Sequence, residues 1–503
     1  MQSDESSRRT VTHRLTGAGE RAAPRRRRSL MFRLVRAMVI LGLVGGIVAG
    51  AGVLWFLNDA GRTPREWAPY LERRAEKHRA IIVDTTAFVA NQLMRADRPV
   101  RPQDIAVPSF IGASADRSGP VPPGRFRLVA GQADLQAAAA NAEPGDVIQL
   151  VAGRYPFSGR PVGINRPGTA DAPIVVRAER LGDVIIETDQ IEAIKIAAPY
   201  WRFENLVFRG TCGDPRYCEH AFHIVGAARG TVIRNNRIED MNAQLKINTE
   251  RGEYPDDGVI EGNTLVDTKP RATRNPITPI DLVAASNWRI SGNLIADFVR
   301  EPGWGGATYG AFVKGAGEGN VMERNVILCE WKLRDIPGQR VGLSLGGGGT
   351  APTMRREMGR TGFEQIGGVI RDNLIAFCSD DGIYINRSVR SVIEHNTLLD
   401  TAGIDVRFPE SSAEVIANIV DGKIASRDGG LMRAFGNESG PLLGLFVGYH
   451  PARDLFRDPA ALDLHWRERP PTGQSVNGRI DLCGAPRPAR PVVGAFEDWS
   501  RCR

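Results

Sequence analysis

The sequence of 503 residues predicts an all-β body of stacked parallel coils preceded by one membrane-spanning helix. Three observations predict it: a long apolar run near the N-terminus, a repeated six-residue unit that ends in Asn, and a composition rich in turn formers. With 42% hydrophobic and 24% charged residues, 56 Gly and 32 Pro, the composition is globular, which excludes a disordered or collagen-like chain. The net charge of +7 is local, because residues 1–36 hold ten Arg against Asp4, Glu5 and Glu20 and leave 55 basic and 55 acidic groups elsewhere. A neutral body gives no electrostatic reason to bind nucleic acid.

Residues 1–36 read as a basic cytoplasmic arm. Residues 37–57 carry no charge over 21 positions, the length of one helical crossing of a bilayer core. The run Arg25, Arg26, Arg27, Arg28 before it outweighs Asp59, Arg62, Arg65 and Glu66 after it, so the N-terminus is expected to stay cytoplasmic. No small-residue cleavage site follows closely, which favours a retained anchor in a bacterial-type inner membrane with the rest of the chain in the periplasm. Disulfides persist there, and the six cysteines suit the pairs Cys212 with Cys218, Cys329 with Cys378 and Cys483 with Cys502. Residues 58–125 divide into a helical stalk, with apolar residues from Trp67 to Leu93 at helical spacing, and a Pro-, Gly- and Ser-rich linker. The body is expected over residues 126–503.

Within the body the unit recurs as YWRFEN, TVIRNN, GVIEGN, WRISGN, NVMERN, GVIRDN, SVIEHN and, more loosely, AEVIAN. Its asparagines are Asn205, Asn236, Asn263, Asn293, Asn325, Asn373, Asn396 and Asn418, with separations of 31, 27, 30, 32, 48, 23 and 22 residues. Apart from the 48, each interval is the length of one turn of a coil made of short strands, so about nine to eleven coils are expected. Asn at one corner has a structural reason: its amide both donates and accepts, and it tolerates the left-handed backbone of a sharp turn.

These units resemble the right-handed parallel β-helix of the pectin-lyase-like superfamily. The stretch ADLQAAAANAEPGDVIQLVAGRY (133–155) is similar to the cap and first coil of such domains, and PVVGAFEDW (491–499) to their close. The superfamily holds polysaccharide lyases, glycosidases, uronan epimerases and phage tailspikes, so the resemblance specifies fold more than chemistry.

Placing apolar residues inward on the strand before each Asn unit leaves Lys195, His223, Lys246, Asp281, Phe312, Ser344, Tyr384 and Asp405 as one outward stripe, with Lys314, Asn386 and Arg407 two positions further along their strands. Three of only seven lysines fall there, and Lys246, Asp281 and Lys314 are expected on successive rungs about 4.8 Å apart. The 48-residue interval inserts a loop carrying Arg355, Arg356, Arg360 and Glu364 beside the middle coils, and long loops often wall a binding site. Trp304 and Tyr309 offer aromatic faces suited to sugar rings. Asp-Asp-Gly occurs at Asp256 and at Asp380, Asp381, either as a turn device or as oxygen ligands for Ca²⁺. The second copy resembles the paired Asp of polygalacturonase-like glycosidases, whose accompanying motifs are not present. His220, His223 and His395 are read as satisfied surface or corner residues.

The chemistry this pattern favours is β-elimination on an acidic, uronate-containing polysaccharide by a membrane-anchored periplasmic enzyme, since lysine and arginine serve as base and anion clamp in the lyases the chain resembles. Lys246 or Lys314 is assigned as base, Arg340 or Arg407 as carboxylate clamp, and Asp281 as the group that orients a lysine or binds metal. Trp304, Tyr309, Ser344, Tyr384, Asn386 and Arg387 are assigned to substrate, and Asp380 and Asp381 to a metal. The alternatives are a glycoside hydrolase pairing Asp281 with Asp380, Asp381 or Asp405, and a non-catalytic glycan-binding or envelope scaffold.

Overall fold

A computed structural model describes residues 28–347, 349–356, 362–473 and 479–502. Arg25, Arg26, Arg27 and Arg360 lie outside the described residues. The chain divides into two units, Met1–Asp59 and Ala60–Arg503.

The first unit is dominated by helix α1 (Arg28–Ala60). Within its stretch Met31–Ala60 an 18-residue window reaches a mean hydropathy of 2.4, and the helix is long and apolar enough to cross a membrane.

The second unit is a parallel β-helix. Each coil contributes one short strand to each of three long parallel sheets, which have 10, 12 and 11 strands and form the first, second and third faces. One coil shows the pattern: Leu245–Asn248 lies on the first face, Val259–Glu261 on the second and Thr264–Val266 on the third, after which Ile280–Val283 begins the next coil. Neighbouring coils pair in register, so Leu245 sits beside Ile280, Ile260 beside Ile290 and Leu265 beside Ile295. Alternation along the strands turns these apolar residues into one continuous core. Trp201, Phe203, Phe222 and Phe208 stack through the early coils with ring centroids 4.9–6.0 Å apart. Gln132–Ala140 caps the open end of the core, burying Leu135 and Ala139.

The asparagine column stands between the second and third faces, with one change of register. Each ladder amide accepts from the backbone N–H of the residue one coil earlier, as Asn325 Oδ1 does from Asn293 N at 3.0 Å, and donates to a carbonyl of that same earlier coil, as Asn325 Nδ2 does to Ile290 O at 2.9 Å. The column runs from Asn236 to Asn418 and ends at Asn437, which the repeat pattern does not reveal. Asn205 is not on it. It occupies the preceding turn position, in the left-handed region at φ 63°, where Asn235 also lies at φ 52°. The next two coils place Gly262 and Gly292 at that turn position, at φ 63° and 66°.

The three expected disulfides form, Cys212 to Cys218, Cys329 to Cys378 and Cys483 to Cys502. Helices α2 (Pro64–Ala75) and α3 (Ala80–Asp97), expected as a stalk, form and lie on the body. The reason is electrostatic: buried Arg65 grips Asp97 through Nε and Nη2 at 2.9 and 2.7 Å, pairs with Asp400 at 2.9 Å, and donates to the Cys378 carbonyl at 2.8 Å. The expected linker is likewise a strap bonded along the coils. Arg98 and Arg101 hold Glu330, the Ile105 carbonyl accepts from the Trp331 indole at 2.9 Å, and Ser114 exchanges two hydrogen bonds with the Asn235 amide at 2.8 and 3.0 Å. Strap and C-terminal tail bury the outer side of the third face beneath a second apolar cluster that includes Ile105, Leu294, Val326, Leu374, Phe496 and Trp499. The first face keeps a partly exposed polar row.

Candidate functional site

The outward row of the first face is the one the alternation predicts. Lys195, His223, Lys246, Asp281, Phe312, Ser344, Tyr384 and Asp405 pair residue by residue across adjacent strands. Lys314 is on the rung after Asp281 but two positions further along, opposite Val283.

The first four members of the row, three bases and one acid, are tied into a charge network with Glu192 and Glu250. Lys195 Nζ donates to Glu250 at 2.7 Å, and Lys246 Nζ to Asp281 Oδ2 at 2.6 Å. His223 holds the Glu192 carboxylate through Nδ1 and faces Asn248 Oδ1 through Nε2 at 2.8 Å. Both ring nitrogens of His223 therefore face oxygen atoms. Rotating the Asn248 amide would set its oxygen against the Thr249 carbonyl, to which Nδ2 now donates at 2.8 Å. The His223 hydrogen bond holds Glu192 below the usual carboxylate range. Beside it, burial pushes His220 down to about 4, so that ring is neutral near pH 7. Glu219, near Lys246, is pushed up by burial despite hydrogen bonds from Asn275 and Asn242.

Lys314 differs from its neighbours in having no carboxylate within ion-pair distance among the described residues. Its Nζ lies 4.3 Å from the centre of the Phe312 ring. Burial, and then the nearby Lys246 ammonium, hold its pKa below the ordinary lysine value against the pull of Asp281 and Glu364. A half-buried amine next to a fixed ammonium is suited to accept a proton.

Loops frame this part of the face. Arg300 joins two of them, donating to Gly305 O at 2.6 Å and Asn275 O at 2.7 Å, and Trp304 on the second is 36% exposed. The long insertion packs on the corner beyond Lys314. Its Glu364 accepts from Gly315 N, Thr350 and Arg355 at 2.8–3.0 Å, and Arg356 lies over the Tyr254 ring and holds Asp256. Arg355 and Arg356 are thus committed to pinning the loop.

The remaining candidates fall into a second group. Asn386 donates to the Tyr384 hydroxyl at 3.2 Å, Arg407 pairs with Asp428 at 2.5 Å, and Arg387 faces Glu410 at 3.8 Å. Tyr309 belongs with them, its hydroxyl pushed up to about 12 by burial and by the charges of Tyr384, Asp380 and Asp381. Arg407 is five strand spacings from Lys246, about 24 Å, so the two do not meet on one sugar. Asp281 and Asp405 are four spacings apart, about 19 Å, beyond the separation used by paired-carboxylate glycosidases.

Two assignments do not fit the geometry. Arg340 is 1% exposed and turned away from the groove, bound to Glu330 at 2.9 Å and to the Ile336 carbonyl, so it is no clamp for substrate. Ser344 is fully buried, its hydroxyl donating to Gly346 O and Tyr384 O at 2.9 and 3.0 Å.

Asp380 and Asp381 come together with Glu66 of α2, with carboxylate oxygens within 4.8 Å of one another. Their cation is a lysine. Lys423 Nζ is 2.7 Å from Glu66, 3.6 Å from Asp381 and 4.0 Å from Asp405, so an ammonium takes the place a metal ion would fill, and a Ca²⁺ beside it would meet a like charge. Burial raises Asp381 well above the carboxylate range and Asp380 to about 6.

Stacked parallel coils, an asparagine corner and a charged row on one face define a parallel β-helix protein of the pectin-lyase-like fold. Among solved structures, the pectate lyase Pel9A is similar over 76% of this chain and 98% of its own, at 14% identity and a TM-score of 0.51. An alginate lyase from Paenibacillus sp. str. FPU-7 aligns over 62% of this chain and 95% of its own (14% identity, TM-score 0.35). A GH136 lacto-N-biosidase from Eubacterium ramulus aligns over 71% and 73% (13% identity, TM-score 0.40). No family model matches the chain, and no curated protein matches it. The likeness is one of fold alone.

Proposed function

We propose that this chain is a membrane-anchored enzyme of the periplasm that cleaves an acidic polysaccharide by β-elimination on the first face, with Lys314 as base. The observation that carries the reading is the contrast between two adjacent lysines. Lys246 is a fixed cation on Asp281, while Lys314 has no carboxylate partner among the described residues and a lowered pKa.

In a uronate bound across these rungs, Lys246 offsets the charge of the sugar carboxylate and of the enolate that develops from it, and the His223 ring offers a further N–H beside it. Neutral Lys314 takes the proton from C5. The electron pair forms the C4–C5 double bond, the C4–O bond breaks, and the departing oxygen takes up a proton from water. Asp281 acts as a positioning residue for Lys246. Tyr384, Asn386 and Arg407 contact sugars further along the chain. An epimerase would share the first step and return the proton to the other side of the ring.

The test is to incubate the detergent-solubilised full chain with pectate, alginate and glycosaminoglycan polymers while following ultraviolet absorbance of the new double bond. A rise with one polymer that Lys314→Arg abolishes is the expected result. New reducing ends without absorbance would select a hydrolase, and tight binding without turnover a glycan-binding protein.

A further inference from the structure

On the far side of the asparagine corner from the groove, strap, second face and C-terminal tail line an open cavity of about 620 Å³. Its polar lining is basic: Arg117 from the strap and Arg234 and Arg324 from the coils, against Glu261, with Ser291 also in the wall and Phe110 on the strap side. The outward row of the second face explains these residues. Arg234, Glu261, Ser291 and Glu323 pair strand to strand, and Glu323 is already held by Arg289, Arg324 and Arg371.

That leaves charge without a protein partner. The side chains of Arg234 and Glu261 make no hydrogen bond or ion pair among the described residues, although Glu261 lies near Arg117. Arg117 spends one N–H on the Gly112 carbonyl at 2.7 Å, and burial lowers its pKa with only Glu261 opposing. The Ser291 hydroxyl is buried without a hydrogen-bond partner among the described residues. A desolvated guanidinium and an orphan hydroxyl facing one cavity ask for a polar anionic occupant. An apolar aromatic wall and room for one or two rings distinguish that occupant from a bare ion.

We propose that this cavity is a second saccharide site, which binds an acidic sugar unit with its carboxylate between Arg117 and Arg234 and its ring against Phe110. The proposal is independent of the chemistry assigned to the groove, since the cavity and the groove share no residue. The site gives the protein a hold on an acidic glycan that does not pass through the reacting rungs.

The test is calorimetric titration of the solubilised full chain with digalacturonate, and separately with inorganic sulfate. Saturable binding of digalacturonate that weakens about tenfold or more in R234Q and in R117Q, and persists in the groove variant K246A, is the expected result. Glu261→Gln removes the one opposing charge and should tighten binding. Arg234 has no partner to lose among the described residues, so R234Q should melt with the wild type, and a loss of binding there reports the site. Affinity unchanged in R234Q, or lost in K246A instead, would overturn the proposal. Sulfate binding as tightly as digalacturonate would overturn it as well, by marking a site for an inorganic oxyanion.

Discussion

A lysine becomes a base through what surrounds it, and around Lys314 burial beside an aromatic ring and a nearby like charge outweigh the pull of Asp281 and Glu364. Its activity should therefore rise with pH along a limb set below the ordinary lysine value, as the ammonium loses its proton. Lys246→Ala removes the neighbouring ammonium and frees Asp281, and both changes raise the Lys314 pKa. The limb should shift to higher pH and the rate fall about 100-fold or more, read from pH profiles of both proteins. Lys423 supplies a different test. Its ammonium is the shared cation of Glu66, Asp381 and Asp405, so Lys423→Met strands buried carboxylates and should lower stability by about 3–5 kcal/mol in a denaturant melt. Asp380 has a folded pKa raised to about 6, so the native state holds a proton that the unfolded chain releases near its ordinary value. Stability on this account falls as pH rises from the usual carboxylate range through about 6, and Asp380→Asn should flatten that fall. Period-two alternation makes the positions of Lys246, Asp281 and Lys314 legible in the sequence. It does not reveal that Arg340 faces Glu330 or that Ser344 is buried, because the segment just before the strand folds back onto Arg340 and the Ser344 hydroxyl turns onto carbonyls of its own and the neighbouring strand. His223 is on the row, but the signal that raises it above a surface histidine is Glu192, which is a coil away.

The coil depends on its corner. Asn325 satisfies the Asn293 N–H and the Ile290 carbonyl, both buried, so Asn325→Leu should cost about 2–4 kcal/mol, seen as a lower denaturation midpoint. The recurrence of Asn at a nearly constant interval makes this column legible in the amino-acid sequence. One ambiguity is built in: the left-handed turn position and the ladder position both favour Asn and are adjacent. A lone Asn205 therefore reads as a rung when it is a turn, and Leu206 takes the rung. Asn437 escapes because its segment, MRAFGN, keeps the unit only loosely and follows Asn418 by 19 residues, a shorter interval than any other in the column. Helices α2 and α3 are legible as helices, since apolar spacing encodes them. Their place on the body is not, because it rests on Arg65, an ordinary surface residue by sequence, meeting Asp97 and Asp400.

Across the whole molecule, coverings decide which face can work. Strap and tail seal the third face, the second carries paired charges and the basic cavity, and the first leaves its polar row within reach. Arg65→Leu should loosen α2 and α3 and open the strap to protease, with new cleavage between residues 98 and 125 while the coils resist. The same clamp fixes an order of events in the making of the protein. Arg65 bonds to a carbonyl 313 residues downstream, and Glu66 to a lysine 357 residues downstream. The segment of this unit that leaves the ribosome first thus has its partners among those that leave last. Coils can stack one after another as they emerge, but the helices must wait, unpaired, until Lys423 exists. Closing so long a loop is slow and comes late, so the last rungs of the groove are completed only after the coils are in place. A product cut short of Lys423 would carry a β-helix that has begun to fold and a groove that cannot be finished.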